Sequence, residues 1–152
     1  MKGGNGMNKR LKILTIIFIL LLSLITSSCG SSNNDEVIVE VGGKEYTLTV
    51  TTDEQAEEIA KEAIYETLSD PDNIFYEYCD PDQTKYENVV VNESGVFAWD
   101  VIINTALYDK QGELMCNLQY NVKVGTEEGE IRSLHESNLV WDEEWENNYY
   151  NS

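Results

Sequence analysis

The run VFAWDVIINTALYDKQGELMCNLQYNVKV, residues 96–124, alternates apolar and polar side chains along two strands and turns once between them. In the first strand Phe97, Trp99, Val101, Ile103 and Leu107 share one side. Ala98, Asp100, Ile102, Asn104 and Ala106 share the other. Asp109-Lys110-Gln111-Gly112 is the turn. In the second strand Leu114, Cys116, Leu118, Tyr120, Val122 and Val124 oppose Met115, Asn117, Gln119, Asn121 and Lys123. Such a two-period pattern is that of antiparallel strands with one face buried.

Working outward, Tyr86–Asn92 predicts a preceding strand that ends at Glu93-Ser94-Gly95. Beyond a turn at Gly125–Gly129, Glu130–Trp141 predicts a last strand. Ile131, Ser133, His135, Ser137, Leu139 and Trp141 alternate onto one side of it, with Leu134 and Val140 opposite. Residues 142–152 read as a frayed acidic tail, with Trp145, Tyr149 and Tyr150 scattered in it and free to cover a sheet edge.

Upstream, Thr52 and Gln55 have capping-box spacing. Ala56, Ile59, Ala60, Ala63, Ile64 and Leu68 then recur at helical spacing, and Asp70-Pro71 closes the helix. Val37–Val41 and Glu45–Val50, around Gly42-Gly43-Lys44, read as a β-hairpin. Asp70-Pro71-Asp72 and Asp80-Pro81-Asp82 are turn formers. They are expected to flank a short strand. A calcium site built from Asp70, Asp72, Asp80 and Asp82 is the alternative, although the spacing of an EF-hand loop is missing.

The expected fold class is α+β: a β-hairpin, then one amphipathic helix packed on a curved antiparallel sheet of residues 36–141. This element order resembles the cystatin-like and NTF2-like architectures. The likeness carries no motif of either family, so it implies shape and not function.

Ten basic and 28 acidic side chains give a formal charge of −18. This balance argues against nucleic acid and anionic bilayer surfaces as partners, because phosphates would be repelled. Cationic peptides, metal ions or a cationic protein remain compatible, and the simpler reading is that the charge keeps the protein soluble and off an anionic membrane.

The first 30 residues carry a second pattern. Lys9, Arg10 and Lys12 precede the apolar run Ile13–Ile25. Thr26-Ser27-Ser28 and Cys29 follow, then Gly30-Ser31-Ser32-Asn33-Asn34. A basic start, a short apolar stretch and small residues make an export signal, and the run is shorter than the ~20 residues a spanning helix needs. With cysteine at the cleavage site, this stretch resembles the lipobox of bacterial lipoproteins, with Thr26 where the family usually has an aliphatic residue. The resemblance implies a signal peptide at 1–28, lipidation of Cys29 and a flexible tether at 29–35. It places the protein outside the cytoplasm, held to a membrane by its lipid. Cleavage removes Lys2, Lys9, Arg10 and Lys12 and no acid, leaving six basic against 28 acidic side chains, a formal −22.

Cys79 and Cys116 are an even pair in a chain read as exported, which suits a disulfide worth roughly 3–4 kcal/mol. Two buried thiols are the equal alternative. Acid–base chemistry rests on the single histidine, His135, paired with Asp100 in a pocket between helix and sheet. Alternation puts the two on differently facing sides of their strands. Phosphate-binding, nucleophile-elbow and zinc motifs are missing, and no cofactor is implied. Nine tyrosines and three tryptophans, with Tyr76, Tyr78 and Tyr86 close together, offer a sugar- or peptide-binding surface or simply strand composition. The sequence therefore favours a lipid-anchored, non-catalytic module that binds an envelope protein, peptide or glycan. A small-ligand binder or enzyme using Asp100 and His135 is the alternative.

Overall fold

The computed structural model describes residues 36–151. Cys29, its leader and the tether lie outside the described residues. Strands β1 (Val37–Val41) and β2 (Lys44–Leu48) form a hairpin that turns through Gly42 and Gly43, both at positive φ. Helix α1 (Asp53–Leu68) follows. Strands β3 (Lys85–Glu93), β4 (Ala98–Tyr108), β5 (Leu114–Gly125) and β6 (Ile131–Trp141) then make an antiparallel meander in sequence order. Helix α2 (Glu143–Asn151) ends the chain. The class is α+β, with both sheets antiparallel.

Helix α1 begins as its sequence dictates. Thr52 Oγ1 accepts from Gln55 N, while Gln55 Oε1 accepts from the Thr51 and Thr52 amides. Its small-residue stripe, Ala56, Ala60 and Ala63, is buried with Ile64 and Leu68. Alanine lets the helix approach the sheet, and Val101, Ile103, Leu107, Leu118, Tyr120 and Val122 fill the space beneath it. The Trp99 indole donates to Val50 O at 3.1 Å, and the Thr49 and Val50 amides donate to Thr126 O, which fixes the chain where it enters α1.

One core group lacks a regular hydrogen bond. Tyr120 is fully buried, and its hydroxyl makes no hydrogen bond of regular geometry among the described residues, although Glu136 lies opposite it on β6. Burial, reinforced by the Glu136 carboxylate, raises its pKa. An unpaired buried hydroxyl costs desolvation without return. Tyr120→Phe is therefore expected to leave stability unchanged or raise it by up to about 1 kcal/mol in urea unfolding. A loss above that figure would reveal a partner for the hydroxyl.

The structure departs from the sequence reading in three places. Strand β6 carries two register shifts, one between Lys123 and Val124 of its partner and one between Asn117 and Gln119. Asn138 takes φ 55° at the second, a backbone asparagine tolerates. Each bulge reverses the alternation. Leu134, Glu136 and Trp141 consequently lie opposite Val122, Tyr120 and Cys116 on the helix side, while Ser133, His135 and Ser137 take the other face. Between the two Asp-Pro-Asp turns there is no short strand; Cys79 alone bridges to Asp109. Residues 143–151, read as part of a frayed tail, are helical. Among the described residues no helix is long and apolar enough to cross a membrane.

Candidate binding site

Asp100 and His135 share a face, but not the face toward α1. Asp100 pairs in register with Lys123 and through it with Ser133, and His135 pairs with Asn121, itself opposite Ile102. All of these lie on the side of the sheet away from the helix. The space between helix and sheet is filled by the core, so the two residues do not converge in a pocket there. Asp100 Oδ1 sits 3.2 Å from Lys123 Nζ, and the Ser94 hydroxyl and the Lys123 ammonium hold its carboxyl below the usual range. His135 is exposed. Around them the outer face is a hydrogen-bonded ladder of amides and hydroxyls. Gln119 donates to Asn104 at 3.1 Å, Asn121 to Ser137 at 2.9 Å and Asn138 to Gln119 at 2.7 Å. These amide and hydroxyl groups satisfy one another.

Two of the four turn aspartates, Asp70 and Asp80, cap backbone. Asp70 Oδ1 accepts from the Asp72 amide and Asp80 Oδ1 from the Asp82 amide, while Asp82 Oδ1 accepts from the Tyr65 hydroxyl. Among the described residues no three of His, Cys, Asp and Glu converge as metal ligands.

Cys79 and Cys116 are free thiols, both buried. Burial pushes Cys79 up to about 11 and Cys116 up to about 12. Because the folded pKa values lie above the ~8.5 of an unfolded cysteine, the native state holds these protons longer, and their burial favours folding less as pH rises from ~8.5 toward 11. Thiolates are the reactive species. Both cysteines are therefore expected to resist an alkylating reagent at pH 8 in the native protein and to react fully in urea without reductant. Failure to react in urea until reductant is added would establish a disulfide instead.

A second candidate surface lies where α2 returns against the 74–79 loop. Asp142 starts that helix: its amide donates to Met115 O at 2.8 Å, and its Oδ1 accepts from the Glu144 and Trp145 amides. This local cap sets Trp145 and Tyr149 one turn apart, on the face that continues from Trp141. The Trp141 and Trp145 rings stack at 5.5 Å with planes 11° apart, and Trp145 stacks on Tyr149 at 5.3 Å, also at 11°. Tyr78 meets this row edge-on, 6.1 Å from Trp145 and 5.4 Å from Tyr149, and the two tyrosine hydroxyls lie 3.2 Å apart. That shared hydrogen bond raises the Tyr78 pKa. Phe75 reaches Trp141 from below at 5.9 Å.

Asp109 is the buried junction under the row. Its Oδ1 accepts from the Gln111 and Glu113 amides, each at 2.9 Å, and its Oδ2 accepts from the Trp145 indole at 3.2 Å. Its backbone bridges to Cys79, so this one residue ties the β4–β5 turn and α2 through its carboxylate and the 74–79 loop through its backbone.

The row separates two grooves. An apolar one of about 220 Å³ is lined by Ile74, Phe75, Tyr78, Trp141, Trp145 and Tyr150, with Tyr149 and Glu146 at its side. A more polar one of about 330 Å³ runs past Glu77, Asp109, Lys110 and Glu113. Ile74 is 72% exposed and Tyr150 is 76% exposed, so large apolar side chains stand in solvent beside the apolar groove. A contiguous exposed apolar patch with a polar rim is the signature of an interaction site.

Of the sequence candidates, Tyr78 alone of the Tyr76, Tyr78 and Tyr86 group lines these grooves. Tyr86 packs toward α1, where its hydroxyl donates to Lys61 O at 3.3 Å. The signal for the rest was present in the tail: Trp141, Trp145 and Tyr149 are spaced by four residues, the spacing of one helical face. No protein-family model, curated protein or solved structure gives a significant match to the chain.

Proposed function

We propose that this chain is a lipid-anchored, extracytoplasmic, non-catalytic binding module, and that it binds through the aromatic grooves beside α2. The observation that carries the reading is the ring row Trp141–Trp145–Tyr149, half-buried at Trp145 and exposed at Trp141 and Tyr149, with Tyr78 and Tyr150 around it. Aromatic side chains supply large contact area at little cost in conformational entropy, which is why binding surfaces favour them. The hairpin, helix and meander order is also in keeping with a cystatin-like or NTF2-like arrangement, which bears on shape and not on ligand.

The anchor rests on the Lys9–Cys29 leader. In cells fed labelled fatty acid, the full-length protein is expected to take up label and Cys29→Ala to take up none. Equal label in both would remove the anchor. The surface is tested by tyrosine iodination of the full-length protein, in intact producing cells and after purification. Tyr150 is expected to be shielded in cells, whereas Tyr65, 42% exposed on α1, labels equally in both. Equal labelling of Tyr150 in the two settings would overturn the reading.

A further inference from the structure

We infer that the grooves receive a basic peptide segment of a partner protein, an inference that rests on the binding-module reading above. An apolar side chain of the segment seats in the groove of about 220 Å³ among Ile74, Phe75, Trp141 and Tyr150. Lysine or arginine side chains on either flank meet the carboxylates of Glu77, Glu113 and Glu146.

The choice of occupant follows from charge. The first turn of α2 carries Glu143, Glu144 and Glu146, and there is no basic residue in its last turn. Among the described residues Lys110 is the one cation lining the polar groove, and it is engaged: its ammonium donates to Glu77 O at 2.8 Å and lies 6.0 Å from the centre of the Tyr76 ring. The rim is thus net acidic on a chain of formal charge −18. A second copy of this chain would bring like charge to like charge, and an anionic bilayer would be repelled. A basic segment gains on both counts, since complementary charge steers encounter and fixes register while the apolar anchor supplies affinity. Cations are also drawn to the faces of tryptophan and tyrosine rings within about 6 Å.

The test uses the full-length protein in nanodiscs of phosphatidylcholine, a lipid without net charge, with tryptophan emission as the readout. Three probes are titrated: a peptide alternating lysine and leucine, the same peptide with glutamate in place of lysine, and a hexamer of N-acetylglucosamine. The lysine–leucine peptide alone is expected to shift the emission. The combined exposed-site variant Glu77→Gln, Glu113→Gln, Glu146→Gln is expected to weaken it about tenfold, three rim ion pairs acting together. Ile74→Ser is expected to weaken it while leaving the far-ultraviolet circular dichroism unchanged. A response to the glycan and not to the basic peptide would overturn the inference while keeping the groove as a binding surface. Binding of the lysine–leucine peptide that neither variant alters, or no response to any probe, would also overturn it. The iodination footprint remains the separate test of the reading beneath it.

Discussion

Ile64→Ala is expected to lower the unfolding free energy by about 3–4 kcal/mol, the middle of the range for truncating a buried isoleucine. Ile64 is fully buried at the centre of the stripe that α1 presents to the sheet, with Ala60 before it and Leu68 after it. Neighbouring alanines have no atoms to move into the space left behind, and the strand residues opposite are held by ladder hydrogen bonds. Collapse around the cavity is therefore poor, and the cost includes the cavity as well as the lost transfer energy. Urea unfolding checks this: the midpoint should fall with an unchanged slope. A loss below about 1 kcal/mol would mean that α1 is not seated on this sheet as described.

Asp109→Ala is expected to cost about 2–4 kcal/mol, because it removes the charged acceptor of three part-buried donors at once. The Gln111 and Glu113 amides lose their acceptor, and so does the Trp145 indole. Asp109→Asn keeps one oxygen and should lose less. The two effects are separable by spectroscopy. Loss of the indole hydrogen bond frees α2 from the β4–β5 turn, so the emission of Asp109→Ala should shift to the red in the native state, before any urea is added. A large destabilisation with no change in native emission would show that the turn, and not the attachment of α2, is what Asp109 supports.

These two residues also mark what was readable in the chain. Ile64 sits in a run whose helical period, capping box and closing proline all agree, so helix position and buried face follow from local pattern alone. The alternation of 98–108 and 114–124 placed Asp100 correctly on the side away from the core for the same reason. His135 was misplaced, because a bulge is a one-residue slip that alternation cannot register, and β6 has two. Asp109 was legible as a turn residue, but its bond to Trp145 spans 36 positions and has no local signature. The C-terminal helix was missed because its composition is acidic and polar, with few strong helix formers. What makes it helical is the Asp142 cap, a local signal passed over among acidic residues, and the docking of its aromatic face, which is a tertiary contact. The fold was thus readable to the extent that single-element patterns determine it, and the candidate site, assembled from three distant segments, was not.

Everything proposed for the groove depends on residues 143–150 being a docked helix and not a tail. The most direct measurement is amide hydrogen exchange, resolved by residue, on the full-length protein with Asp109→Ala in parallel. Slowed exchange at Glu146 and the residues after it, lost in Asp109→Ala while the amides of β4 and β5 stay protected, is the expected result. Exchange of these amides at the rate of an unstructured chain in the unaltered protein would contradict the helix, the aromatic row and the grooves together.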